Sequence, residues 1–244
     1  MVAGAARAGV SDTLVAPFAD RYGSWGLLDL WRVGGTFTDT ERRFVGALSV
    51  WVVPGIRAAL ARTFVDPDEQ LLPVGPAVVV LDPDLQVRSQ TAAAAQALLT
   101  LNPPDEPMTP IPAAAYNVAA ALVAAEQGVP VGEPWSRVHL GGSRWVTVKA
   151  DRMGPPEDGD RRDVAVSIEP CTPAERTDLF ARVHGLSTRE SEVLTLLGAG
   201  LSSHEVAERL VLSEHTVNDH VKAVLEKTGA RTRQVLMSRA LGAG

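Results

Sequence analysis

A chain of 244 residues with 45% hydrophobic and 21% charged side chains has room for about two globular domains and is too apolar to remain disordered. Its single cysteine, Cys171, excludes an internal disulfide and a cysteine-built zinc site. The net charge of −6 is uneven: residues 1–175 carry −7, whereas the segment from Arg176 onward has nine basic against eight acidic residues, a net of +1. The acidic front is unsuited to binding DNA by itself. No run approaches the roughly 18 to 20 uninterrupted apolar residues of a membrane span. The Ala-rich start, Met1 to Val10, lacks the sustained apolar core of a signal peptide, so the expected location is the cytoplasm, with no membrane partner.

The first segment, residues 1–64, has two recognisable parts. Gly23-Ser-Trp-Gly-Leu-Leu-Asp-Leu-Trp31 alternates toward a hydrophobic strand, and Thr38 with Glu41 is a capping box. That box starts a helix whose apolar stripe is Phe44, Leu48, Trp51 and, past a kink at Pro54, Leu60 and Phe64. The strand and helix resemble the closing strand and final helix of a GAF-type sensor domain whose earlier strands have no counterpart here. A lone strand and an apolar helix each need cover, from the next domain or from a second subunit.

Residues 65–75 read as a linker because Val65 to Pro76 holds three prolines and a glycine. Ala77 to Leu81 is then a short buried strand, Asp82-Pro-Asp-Leu a turn, and Gln86 to Gln90 the returning strand. Thr91 caps an Ala-rich helix to Leu99, and Pro112 to Gln127 predicts a longer one. Val138-His-Leu and Trp145 to Lys149 alternate as strands about Gly141-Gly142, and Asp163 to Glu169 is a last strand after the loop Gly154 to Asp160. Through Val78-Val-Val-Leu-Asp-Pro-Asp-Leu and Val164-Ala-Val-Ser-Ile168, residues 76–172 resemble a PAS-like α/β sensor domain. The resemblance implies a small-molecule or protein signal held between sheet and helices. Trp135, Trp145, His139 and Tyr116 are the candidate lining residues, with ordinary core membership as the alternative. A haem needs a helix-borne histidine and a photoreactive flavin a cysteine in the helical segment. Neither is present, and no cofactor or metal is expected.

The last segment, residues 173–244, carries three helix starts. Ser187 with Glu190 and Ser202 with Glu205 are capping boxes, and Ser213 precedes a third helix. Gly198 and Gly200 end the first helix, and only Val211, Leu212 and Ser213 separate the second from the third. So short a connection holds two helices at a steep angle, which is a helix-turn-helix spanning about 203–222. On a wheel of about 100° per residue, Val217, Val221, Val224 and Leu225 share one side with His220 at its flank; His215, Asn218, Asp219, Lys222 and Glu226 share the other. The second helix of such a pair lies in the major groove with its N-terminal half at base edges. Asn218 suits adenine, Asp219 accepts from cytosine N4 and Lys222 donates to guanine. Ser213 and Thr216 stand where a phosphate passes, and Ser202, Val217, His220 and Lys227 complete the set assigned to double-stranded DNA.

Leu-Ser-Thr-Arg-Glu at 186–190, Gly200-Leu201-Ser202, Glu205-Val206-Ala207, Thr216-Val217, His220 and Lys227-Thr228-Gly229 resemble the LuxR-type four-helix DNA-binding domain over roughly residues 180–241. The resemblance implies a sequence-specific transcription regulator that binds pseudo-palindromic DNA as a homodimer. It also implies a fourth helix at Thr232 to Leu241, with Val235, Leu236 and Ala240 as the apolar side. The fold class expected is therefore α+β: a partial GAF-like segment and a PAS-like sensor followed by an all-α four-helix domain.

Two features depart from the family. Asn218 stands where a basic residue is usual, and Asp219 beside it repels phosphate. Non-specific affinity comes mostly from neutralised phosphates, which a tail of net +1 supplies sparingly. An alternative reading is a partner-binding regulator whose degenerate helix-turn-helix contacts protein. No phosphate-cradling glycine loop or Gly-x-Ser-x-Gly elbow is present, and catalysis is not expected.

Overall fold

The computed structural model describes residues 9–65, 75–101, 113–129, 133–155 and 162–242. The chain is a mixture of helix and sheet with a helical C-terminal region, and it divides into two compact units that do not follow the sequence divisions. One combines residues 1–64 with 178–233; the other combines 65–177 with 234–244.

The first unit begins with a hairpin. β1 (Val10–Asp20) pairs antiparallel with β2 (Gly23–Val33), with Thr13 opposite Trp31 and Pro17 opposite Leu27. The strand predicted at residues 23–31 is therefore not alone. Its partner carries no strand signal of its own, because Val10 to Asp20 mixes Ser, Asp, Thr and Pro with apolar residues on both parities and has no clean alternation.

Helix α1 (Asp39–Ala61) follows, and Thr38 with Glu41 forms both halves of the predicted capping box. Arg32 reaches the same carboxylate at 2.5 Å. Hydrogen bonds from Arg32 and from the Thr38 backbone and hydroxyl hold the Glu41 carboxyl far down, at about 2. The helix continues through Pro54, which is exposed. Its packed face differs from the expected stripe: Val45 and Val53 are buried, whereas Phe44 and Trp51 face outward. With a mean hydropathy of 1.7 over 18 residues, α1 is also long and apolar enough to cross a membrane by length and composition, contrary to the sequence expectation.

The second unit is built on a five-stranded antiparallel sheet of β3 (Ala77–Leu81), β4 (Val87–Gln90), β5 (Trp135–His139), β6 (Trp145–Arg152) and β7 (Val164–Pro170), in the order β4-β3-β7-β6-β5. The turn after β3 works as its sequence predicts: Asp82 Oδ1 accepts from the backbone of Asp84 and Gln86, and Leu85 takes the left-handed conformation at φ 60°. Thr91 Oγ1 accepts from the Ala94 amide to start α2 (Ala92–Leu101). That helix and α3 (Ala113–Glu126) lie between β4 and β5 in sequence, and small residues let both approach the sheet. Ala94, Ala97, Ala115 and Ala119 pack with Val79, Leu81, Val148, Val164 and Val166 in one core. Most of the linker 65–75 and of the loop 154–160 lies outside the described residues.

Helix α4 (Pro173–Val183) bridges the unit boundary. It is an addition to the helices expected from sequence, and Thr172 and Glu175 make a capping box like the others: the Glu175 carboxylate accepts from the Thr172 amide at 2.8 Å and Thr172 Oγ1 from the Glu175 amide at 3.2 Å. The remaining helices are α5 (Thr188–Gly198), α6 (Ser203–Leu210), α7 (Glu214–Thr228) and α8 (Arg233–Leu241).

Candidate nucleic-acid interface

Helices α5, α6 and α7 stand where the three Ser caps begin them. Ser187 Oγ accepts from the Glu190 amide and Ser202 Oγ from the Glu205 amide, each glutamate answering at the cap backbone. Ser213 Oγ accepts from the Thr216 amide at 3.1 Å and also meets the Thr216 hydroxyl at 2.8 Å. Between α6 and α7 the chain turns at Val211, which is left-handed at φ 55°, ψ 52° and 90% exposed. The Leu212 amide then returns to the Ala207 carbonyl at 2.9 Å, closing the turn.

Apolar residues of the three helices form a tight core. Val193, Leu194 and Leu197 of α5, Val206 and Ala207 of α6, and Val217 and Val224 of α7 are all buried. Burying Val217 and Val224 on one side of α7 leaves the other side outward, where His215, Asn218, Asp219, Lys222 and Glu226 are exposed. Ser202 and Ser213 are exposed, and Thr216 and His220 half-buried. Two assignments change. Val217 has no exposed surface and is a core residue, as its place on the wheel requires; it cannot touch DNA. Lys227 is committed elsewhere: its Nζ donates to both oxygens of Glu190, at 2.8 and 2.6 Å.

That pair ties α7 to the start of α5. The Glu190 side chain is 8% exposed and that of Lys227 40%. Burial pushes the Glu190 carboxyl up, but Lys227, the Ser187 amide and the Ser187 hydroxyl together outweigh it and leave the group lower than usual. The outward face is electrically mixed. His204 Nδ1 lies 2.5 Å from Glu214 at the start of α7, and His215 Nε2 lies 3.6 Å from Asp219. Two of its carboxylates thus have a histidine beside them, and Lys222 stands among them as an exposed cation.

The hairpin and α1 are bonded to the connection between α4 and α5. The Tyr22 hydroxyl donates to the Gly185 carbonyl at 3.2 Å, Arg57 donates to Val183 at 3.3 Å, and Arg182 donates to the Tyr22 carbonyl at 2.6 Å. Arg57 also pairs with Asp20 at 3.0 Å and lies 4.2 Å over the Tyr22 ring. Phe64 meets Phe180 edge-on at 5.3 Å. Glycine suits position 185: its φ is +66°, and a Cβ there would sit 2.7 Å from an Arg57 nitrogen and push that guanidinium aside.

Residues 184–240 match the family model described as "Bacterial regulatory proteins, luxR family". The C-terminal region is a LuxR-type helix-turn-helix domain. The chain is also similar to the transcriptional regulatory protein LnrK of Bacillus subtilis (46% identical over 48 residues, 20% of this chain and 22% of LnrK) and to the transcriptional activator protein SolR of Ralstonia solanacearum (41% over 59 residues, 24% and 25%). DesR of Bacillus subtilis is 32% identical over 62 residues, 25% of this chain and 31% of its own. The alignments thus span a fifth to a third of the relatives' lengths. Among solved structures, a phage VqmA–DPO complex matches 77% of this chain and 87% of its own at 18% identity, with a TM-score of 0.31. A Vibrio cholerae VqmA–ligand–DNA complex matches 71% and 84% at 18% identity and a TM-score of 0.30.

In the second unit a cavity of about 260 Å³ opens between α2 and the sheet. Ala77, Ala93, Ala97, Leu140, Val146 and Ile168 line it, all apolar. None of the four expected residues, Trp135, Trp145, His139 and Tyr116, is among its lining. The reason for Trp145 is strand parity: it precedes Val146, so its side chain lies on the opposite sheet face, 5.2 Å from the His139 ring. Trp135 is 38% exposed and bonds Glu133.

Proposed function

We propose that the chain is a sequence-specific DNA-binding transcription regulator, not an enzyme, that acts in the cytoplasm as a homodimer, with a sensory region that modulates its helix-turn-helix. One observation carries the reading: Val217 and Val224 anchor α7 to the core, so that Asn218, Asp219 and Lys222 project from an exposed face at its N-terminal half. Asn218 and Lys222 supply base recognition, while Ser202, Ser213 and Thr216 lie at the helix starts where phosphate oxygens meet amides. Asp219 and Glu214 limit non-specific affinity, which makes two linked copies on a two-fold operator the effective binding form.

The sensor reading rests on the second unit. Numbered within that unit, its strand order is 2-1-5-4-3 with two helices between the second and third strands, which supports a PAS-like domain. The apolar side chains that predominate in the cavity lining favour a small, uncharged signal molecule. For the first segment we keep the GAF-like reading of a closing strand, β2, and a final helix, α1.

A second reading keeps the fold and replaces DNA by a protein partner, favoured by the three carboxylates exposed on α7, Glu214, Asp219 and Glu226. Selection of genomic fragments by the purified chain at two salt concentrations separates them. Enrichment of one discrete, two-fold sequence supports the regulator; no enriched sequence even at low salt supports the partner.

A further inference from the structure

The outer face of α1 is exposed, with no cover from the described residues of the first unit. Phe44 is 65% exposed, Val50 74% and Trp51 81%. Ala47, Pro54 and Ala58 are exposed on the same side. Phe44, Ala47, Trp51, Pro54 and Ala58 follow the 3-4 spacing at which two helices interlock along a seam. No charged residue interrupts the helix between Arg43 and Arg57. The two aromatic rings alone expose roughly 300 Å² of apolar surface. Two copies together would bury about 600 Å² from four rings, and the rest of the stripe carries the total past the ~1,000 Å² expected of a specific interface.

We infer that this stripe is a dimer interface on which a second copy of the chain docks its own α1, antiparallel. The alternation of bulky and small residues selects the direction. In a parallel pair Trp51 meets Trp51 and Ala47 meets Ala47, a clash followed by a void. In an antiparallel pair Trp51 of one copy packs on Ala47 of the other, and Phe44 packs on Pro54, so each layer joins one large and one small side chain. A membrane is a poorer occupant. α1 is already packed on the hairpin, with Val45 and Val53 buried and Arg57 ion-paired to Asp20; a span would have to surrender this packing.

The inference rests on the dimeric regulator proposed above and names the contact that makes the dimer. The test is sedimentation of the full chain without DNA, alongside Trp51→Glu. The parent should form dimers, and the variant should dissociate with a dimer constant raised at least about tenfold, with unchanged circular dichroism. Direction is read by cross-linking in a Cys171→Ser background. Phe44→Cys and Pro54→Cys proteins should join through a short bis-maleimide when mixed, and not when each is treated alone. A parent that stays monomeric, a Phe44→Cys protein that cross-links to itself, or a monomer that binds phosphatidylglycerol vesicles through Trp51 would each overturn the proposal. Dimers that select no DNA leave this interface standing and remove the regulator reading; DNA-bound dimers indifferent to Trp51→Glu do the reverse.

Discussion

Replacing Lys227 by methionine keeps most of the side-chain volume and removes both bonds to Glu190. A fully exposed ion pair contributes about 0–1 kcal/mol, and breaking a buried one costs about 3–5 kcal/mol. This pair lies between those limits, with side chains 40% and 8% exposed. Glu190 also keeps its 2.6 Å bond from the Ser187 amide, so the abandoned carboxylate is not left without a donor. The expected loss is about 2 kcal/mol, felt where α7 meets α5. Amide hydrogen exchange reads it directly: opening energies for α5 and α7 should fall by about that amount. Adding Glu190→Gln to Lys227→Met should recover part of the loss, because the uncompensated charge is then gone. DNA affinity should keep its dependence on salt. If Lys227→Met instead left exchange unchanged and reduced the salt slope by about one per chain, Lys227 would be a phosphate contact and the structural assignment would fail.

Gly185→Ala should destabilise the first unit by about 2 kcal/mol, through its positive φ and displacement of Arg57, seen as a lower urea midpoint. Val211→Asn should do the opposite. A β-branched residue strains the left-handed turn between α6 and α7, and Asn adopts that conformation more readily, so the midpoint should rise by an amount worth about 1 kcal/mol. Acid should weaken the first unit. The folded-state carboxyls of Glu41, Asp20 and Glu190 are all lowered, so their stabilisation is complete above their ordinary values and disappears as pH falls through the folded ones. For Glu41 that window runs from 4.5 down to about 2; a thermal midpoint that stayed flat across it would contradict these assignments.

The C-terminal helices were legible because their instructions are local. A Ser cap, a Glu three residues on and a 3.6-residue apolar period all lie within one or two turns. The same local rule would have revealed α4 from Thr172 and Glu175. What sequence could not supply was pairing at a distance. Lys227 and Glu190 are 37 residues apart, and Lys227 on its own reads as one more cation for phosphate. The residue pattern of β1 announced no strand until β2 was set beside it. For the cavity, the alternation that turns Trp145 away from Val146 was visible, but not which face the helices cover. On α1 the aromatic stripe was visible too; the hairpin chose the other side, and this left the stripe exposed.

The central claim is that Asn218 and Lys222 read base edges from the exposed face of α7. The most direct measurement is a binding profile of the full chain, Asn218→Ala and Lys222→Ala on the selected operator and its single-base variants. Each substitution should weaken binding by about 1–3 kcal/mol and relax preference at one position per half-site, leaving the others intact. Profiles for both variants identical to that of the parent would show that this face does not read DNA.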